Sequence, residues 1–178
     1  MGCPLYEKGD GYVPGEGPLG APITFVAEAA GRVESLVGRP LVGDAGGMLT
    51  RLFNLLGWKR EAFRLDNCAR CNPPGDWVDE RAPWYHGALA HWRYVDESLG
   101  AGSPVVVTLG GTALKRVMGL LAHRKIRVQD WHGSIVRDPT NRFWVVPTYH
   151  PSHLQRGASN LMGTVLWDLQ QAEEARLH

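Results

Sequence analysis

Apolar positions along the chain follow two rhythms, and the alternation between them predicts the architecture. Ile23, Thr24, Phe25 and Val26 form a short β-branched run between Pro22 and Gly31, the pattern of a buried central strand. Met48, Leu49, Leu52, Phe53, Leu55 and Leu56 then recur at helical spacing until Gly57 stops them. Residues 63–67 predict a second strand running into a Pro73-Pro74-Gly75 loop. Residues 84–99 predict a helix with Pro83 at its start and Gly100 at its end. Residues 104–109 are a valine-rich run of the kind buried on both faces, followed by Gly110-Gly111-Thr112 and a helix to about Leu121. A hairpin-like pair at 134–136 and 143–146 flanks the turn residues Asp138-Pro139-Thr140-Asn141, and residues 160–176 predict a closing helix. Strands and helices in this order imply an α/β domain with a mainly parallel sheet. The glycine- and proline-rich residues 1–21 read as an irregular N-terminal arm packed on a single domain spanning 1–178, and residues 36–47 as a loop.

In such sheets the chemistry collects at the carboxyl ends of the strands. Four segments meet there: Ala27-Glu28-Ala29-Ala30-Gly31, Asn67, Gly110-Gly111, and Thr148-Tyr149-His150-Pro151-Ser152-His153. The small residues let a ligand or phosphate approach the backbone closely. His150, held before a proline, is suited to donating a hydrogen bond to an anion. Asn67 offers a donor and an acceptor, which reading the edge of a base requires. The plainer alternatives are a histidine in a surface turn and an asparagine that ends a strand.

Composition narrows the class without naming it. The chain of 178 residues is 44% hydrophobic and 21% charged, with a formal net charge of +1. That excludes a disordered tail, a coiled coil and a broadly basic arm, while a locally basic face for nucleic acid remains open. No apolar stretch approaches the roughly 20 residues that span a bilayer, and the N-terminus carries no secretory pattern. Three cysteines cannot close a disulfide framework, so a cytoplasmic, intracellular setting is expected.

Three motifs in order carry a family resemblance: Gly38-Arg39-Pro40-Leu41-Val42-Gly43-Asp44-Ala45-Gly46, Asn67-Cys68-Ala69-Arg70-Cys71-Asn72-Pro73-Pro74, and Thr148-Tyr149-His150-Pro151-Ser152. Together they resemble the uracil-DNA glycosylase superfamily, closest to its family-4 iron–sulfur branch, with similarity running from Cys3-Pro4-Leu5 to Leu169. The resemblance implies a three-layer α/β/α sandwich around a four-stranded sheet. It also implies an enzyme that flips uracil out of DNA and hydrolyses its N-glycosidic bond with no metal at the reacting centre. On this likeness His150 is similar to the histidine that stabilises the leaving base, Asn67 to the asparagine that pairs with its edge, and Glu28 and Glu34 to two family glutamates. Either glutamate could orient water or support charge on the sugar. Ala29, Ala30, Gly31 and Leu41 match base-pocket positions.

The departures matter as much. The family pattern Gly-Glu-Ala-Pro-Gly is Ala27-Glu28-Ala29-Ala30-Gly31 here, and Leu41 stands where an aromatic ring usually stacks on the base. A lost ring removes about 1–3 kcal/mol of stacking and leaves more room. The expected activity is uracil excision from single-stranded or duplex DNA. The alternatives are excision of another or bulkier base, or a catalytically weak uracil-DNA binding module. Ser152, His153, Leu154, Arg156, Gly110 and Gly111 are the expected DNA contacts, with Leu154 either a wedge into the duplex or a core leucine. Arg39 and Arg70 are further phosphate candidates. The family-4 branch holds a [4Fe–4S] cluster on four cysteines. Cys3 and Cys71 match two of them, His86 falls near a third, and Cys68 is an extra neighbour. A cluster, a zinc ion on the same residues, and buried thiols without metal all stay open. The family likeness also implies a monomer and no membrane partner.

Overall fold

The structure, a computed structural model, describes residues 3–90, 98–99, 102–121, 125–155 and 159–178. Its centre is a sheet of β2 (Ile23–Ala29), β3 (Arg64–Ala69), β5 (Val105–Leu109), β6 (Val136–Arg137) and β7 (Trp144–Thr148), in the order β3-β2-β5-β7-β6. The first four are parallel to one another, and β6 joins β7 antiparallel. The sheet therefore has five strands where four were expected, the extra one being the first arm of the hairpin at the sheet's edge. Every residue of β5 is buried, as its unbroken apolar run predicts.

Helices cover both faces. On one side α3 (Asp44–Leu55) and α7 (Met162–Ala175) pack Leu49, Leu52, Phe53, Val165 and Leu169 against Phe25, Leu65, Val107 and Val146. Phe25, Phe53 and Phe63 meet there in tilted and edge-on pairs, with centroids 4.9 to 5.5 Å apart. On the other side α4 (Pro83–Ala90) and α5 (Gly111–Val117) place Tyr85, Leu89 and Ala113 over Val26, Val106 and Val145. This is the expected three-layer arrangement.

The N-terminal arm is more regular than its composition suggests. It contains the short helix α1 (Pro4–Lys8) and the strand β1 (Asp10–Tyr12), which pairs with β4 (Cys71–Asn72). Leu5 and Val13 are buried, so apolar anchors fix the arm despite its glycines. α2 (Arg32–Val37) occupies a stretch in which no helix was expected, and α6 (Ser152–Gln155) follows β7. α3 begins at Asp44, ahead of the expected Met48, because its first turn contains the Gly46-Gly47 pair that reads as loop. A Cβ at Gly46 would fall 1.9 Å from the Leu41 carbonyl oxygen, so glycine is what allows this helix and loop to meet.

The β6–β7 turn is organised by Asp138, whose buried carboxylate accepts the amides of Thr140, Arg142 and Phe143 and the Thr140 hydroxyl. Burial alone would raise its pKa, but the hydrogen bonds from Thr140, Phe143 and Arg142 outweigh it and hold the carboxyl below its ordinary value. A depressed carboxylate stabilises the fold above its unfolded pKa of about 4, and this is lost as pH falls through the folded value. Asp138→Ala is therefore expected to cost about 2 kcal/mol at neutral pH. The difference from the unsubstituted protein should shrink below about pH 4 in urea titrations, and a pH-independent difference would contradict this assignment.

Candidate active site

The strand order puts a crevice at the carboxyl ends of β2 and β5. The chain leaves β2 toward β3 on one side and leaves β5 toward β7 on the other, so the connections part there. The Thr112 hydroxyl on α5 donates to Glu28 on β2 across this gap. Glu28 is half-buried, and its other oxygen carries no hydrogen bond among the described residues. Burial pushes its carboxyl above the ordinary value, and the Thr112 hydrogen bond partly opposes the rise.

Asn67 lies on β3 level with Ala27 on β2, on the face that packs against α3. It is 1% exposed, and neither its Oδ1 nor its Nδ2 has a hydrogen-bond partner among the described residues. Leaving each such group unsatisfied costs about 1–3 kcal/mol, so the fold carries a standing penalty that a complementary ligand relieves. Its neighbour Asp66 is fully buried and binds Arg70 through both oxygens, at 2.6 and 2.9 Å. Arg70 is thus an internal strut, not the phosphate contact expected of it. Arg39 is likewise engaged, with two hydrogen bonds to Glu16 at 2.8 and 2.9 Å.

His150 follows β7 directly. Its Nδ1 accepts the Ser152 amide at 3.3 Å and lies 2.9 Å from the Ser152 hydroxyl. A ring nitrogen that accepts an N–H carries no proton, so the neutral imidazole bears its hydrogen on Nε2. Gly110 makes room for the ring. Its φ of +91° is left-handed, its amide donates to the Thr148 carbonyl at 2.9 Å, and a Cβ there would lie 3.2 Å from the His150 Cβ. Gly111 opens α5 beside it. Ser152 and His153 begin α6, with His153 exposed. Leu154 is 4% exposed and packs in the α3-side core. The core reading of that leucine describes this state, and a wedge would have to leave the core. Arg156 lies outside the described residues.

Glu34 has a different setting from Glu28. It is buried in α2, where its Oε1 accepts the amides of Val42 at 3.0 Å and Gly43 at 2.8 Å. A Cβ on Gly31 would come within 2.7 Å of its Oε2. The carboxylate thus fastens α2 to the loop carrying Leu41, and a side chain at Gly31 would crowd it. Ala30 is buried, and its carbonyl accepts the Asn72 side chain at 3.1 Å. Leu41 is buried with a left-handed φ of +52°, held by Arg60, which donates to the Pro40 and Leu41 carbonyls at 2.6 and 2.9 Å. Arg60 and Asp76, which accepts the Arg32 amide and the Asn72 side chain, brace these loops and carried no local sequence signal. A cleft of about 560 Å³ beside this loop is lined by Val33, Val42, Gly43, Met48, Arg51 and Gln155, among others. Neither Asn67 nor His150 lines it.

The cysteines divide into a pair and a single residue. Burial pushes the Cys71 thiol up and the nearby Cys3 adds to the rise, which marks these two as electrostatic neighbours. Cys68 is buried on β3, where burial holds its thiol far above its ordinary value and Glu28 and Asp66 are among its charged neighbours. Among the described residues no three His, Cys, Asp or Glu side chains gather as a metal-binding group. Cys68 therefore does not complete a set with Cys3 and Cys71, and the side chain of His86 lies outside the described residues.

Residues 14–174 match the family model of the uracil DNA glycosylase superfamily. The chain belongs to that superfamily. It is 35% identical over 175 residues to a type-4 uracil-DNA glycosylase of Thermotoga maritima, covering 96% of this chain and 86% of that one. A type-4 uracil-DNA glycosylase of Saccharolobus solfataricus is 34% identical, covering 84% of this chain and 69% of its own. One from Pyrobaculum aerophilum is 31% identical, covering 86% and 78%. Family membership agrees with an α/β sheet whose strand ends carry Glu28 on β2, Asn67 on β3 and the His150 segment after β7. Among the described residues no helix is long and apolar enough to cross a membrane.

Proposed function

We propose that this protein is a monofunctional DNA glycosylase that flips uracil out of DNA and hydrolyses its N-glycosidic bond. The observation that carries this reading is the buried amide of Asn67, unpaired in both its donor and its acceptor. Uracil presents an imide N–H beside a carbonyl oxygen, which an amide satisfies with two hydrogen bonds. A base inside a duplex cannot reach such a group, so extrusion is required, and single strands or mismatches cost least to open.

When the C1′–N1 bond breaks, its electrons leave with the base. The Nε2–H of His150 donates to an oxygen of the departing anion, where preorganised donors act most strongly. Glu28, with one oxygen fixed by Thr112, orients water toward C1′ and accepts its proton as the new C–O bond forms. Glu34 is assigned to holding the pocket loops together, because its carboxylate is already engaged by Val42 and Gly43. Ser152 and His153 at the start of α6, with Gly110 and Gly111, are the assigned DNA-backbone contacts. A DNA substrate implies an intracellular location.

The test is a single-stranded oligonucleotide with one deoxyuridine, incubated with the protein and cleaved with alkali. Scission at the uracil supports the reading, and no scission beside an active reference enzyme rejects it.

Leu41 favours a second reading, excision of larger bases. Leu41→Phe is expected to raise uracil excision about fivefold to tenfold by supplying a stacking face worth about 1–3 kcal/mol. On an oligonucleotide panel that includes hypoxanthine and bulky pyrimidines, the same change should reduce excision of the larger bases. Equal activity of both proteins across the panel would show that position 41 does not set base size.

The type-4 relatives raise the question of a [4Fe–4S] cluster. The described residues supply two neighbouring thiols, Cys3 and Cys71, short of the four thiolates such a cluster normally uses. They do not fit a complete cluster site, and no step above passes through one. Cys3 and Cys71 are the residues proposed to hold any metal. Metal analysis of the purified protein with Cys71→Ser alongside tests this, since bound iron or zinc that the substitution removes would make the pair metal ligands. A metal-free, fully folded protein would leave the thiols as packing groups.

A further inference from the structure

The segment that carries His150 is held by a pair, a buried carboxylate and a partly exposed histidine, that the excision chemistry does not use. Asp168, in the middle of α7, is fully buried. Its Oδ2 accepts the Thr148 hydroxyl at 2.6 Å, and its Oδ1 lies 3.1 Å from Nδ1 of His132. The His132 ring in turn packs against Tyr149, with centroids 5.2 Å apart and planes at 39°. The next residue, Gly133, donates its amide to the Pro147 carbonyl at 2.9 Å. A Cβ on Gly133 would fall 2.1 Å from the Trp167 ring and 2.7 Å from the Asp168 carboxylate, so this loop is pressed onto α7. Pro147, Thr148 and Tyr149, the three residues before His150, are therefore each gripped, by the His132-Gly133 loop or by Asp168 on α7. Thr148 extends the grip, since its carbonyl accepts the amide of Gly110, the residue whose missing side chain makes room for the His150 ring.

We infer that Asp168 and His132 are positioning residues for His150. They fix the direction in which its Nε2–H points by clamping the end of β7 and the residue after it. An apolar residue at 168 would fill the core without leaving a carboxylate to satisfy. A carboxylate with one oxygen committed to the end of β7 and the other to the His132 loop instead defines one orientation, in the way that outer partners orient metal-bound or catalytic histidines. Neither residue touches the base on this account. His132 works through its bond to Asp168 and its contact with Tyr149, two effects that substitution can separate.

The inference rests on the proposed role of His150, and its test is chosen to stand apart from that role. In ¹⁵N-labelled protein, with the His150 signal assigned by His150→Gln, the imidazole nitrogens are expected to report the Nε2–H tautomer alone. In His132→Ala and Asp168→Asn the same signal should shift toward averaged tautomers. His132→Phe, which keeps a ring against Tyr149 but loses the bond to Asp168, should fall between. On the deoxyuridine oligonucleotide, His132→Ala should slow single-turnover excision about tenfold while KM changes less than twofold, with His132→Phe again intermediate. A His150 signal unchanged in folded His132→Ala and Asp168→Asn would overturn the inference whether or not uracil is excised. So would excision rates that match the unsubstituted protein. Inactivity of the unsubstituted protein on uracil tells against the proposed function alone, because the nitrogen shifts still read the positioning.

Discussion

Asn67→Ala is expected to make the protein more stable and nearly inactive. The asparagine side chain is buried with neither amide atom paired among the described residues, and each unsatisfied group costs about 1–3 kcal/mol. Alanine removes both and keeps the Cβ that packs beside Ala27. Part of the gain is lost to the small cavity left behind. A net stabilisation of about 1 kcal/mol remains, which for a chain of this size raises Tm by about 2–4 °C. In the opposite direction, two hydrogen bonds to the flipped base disappear, and excision should fall about 100-fold in kcat/KM. Calorimetry and single-turnover assays on one preparation measure both. A lower Tm with excision retained would mean that the amide is a structural group whose partners are internal, and the base-reading assignment would fail. Stability set against activity at one residue is the signature of a site held ready for a ligand.

The strands were legible in the sequence and the smaller elements were not, for the same physical reason. β5 is buried along its whole length, so selection for burial writes an uninterrupted apolar run. β2 runs on to Ala29, past its apolar stretch, because at the sheet's carboxyl edge Glu28 faces the site and a polar residue there reads as loop. α2 gave no signal because Val33, Leu36 and Val37 are exposed, leaving Glu34 as its only buried residue. A helix whose buried residue is a carboxylate has no apolar stripe to detect. β1 and β4 are three and two residues long and exist through each other, so no local pattern could announce them. The site divides in the same way. Asn67 and His150 stand out because they lie near the carboxyl ends of strands within recognisable motifs. The bonds of Glu34 to Val42 and Gly43, of Arg60 to the Leu41 loop, and of Asp168 to Thr148 and His132 do not stand out. They join residues from different elements, and nothing in the residue type alone reveals the partner.

The largest loss of activity is expected for His150→Ala, about 10²- to 10³-fold in the excision step, the range for deleting one preorganised donor to a developing anion. The geometry says which property of the histidine matters. The Ser152 amide occupies Nδ1, so the ring presents Nε2–H as a neutral donor, and the contribution is a directed hydrogen bond made fully only when charge has moved onto the departing base. Binding of uracil-containing DNA should therefore change little, with Kd within a few-fold, while the single-turnover rate collapses. His150→Gln, which retains an N–H donor on a longer and less constrained side chain, should recover part of the loss. Ser152→Ala removes the hydroxyl but keeps the backbone amide on Nδ1, so the tautomer survives and the rate should drop only about twofold to fivefold. This ordering separates a positioned donor from the alternatives. If Kd and rate fell together in His150→Ala, the ring would be a binding contact. If the alanine variant kept more than a tenth of the rate, stabilisation of the leaving base would have to come from another donor, such as the backbone amide of Gly111 at the neighbouring strand end, where α5 begins.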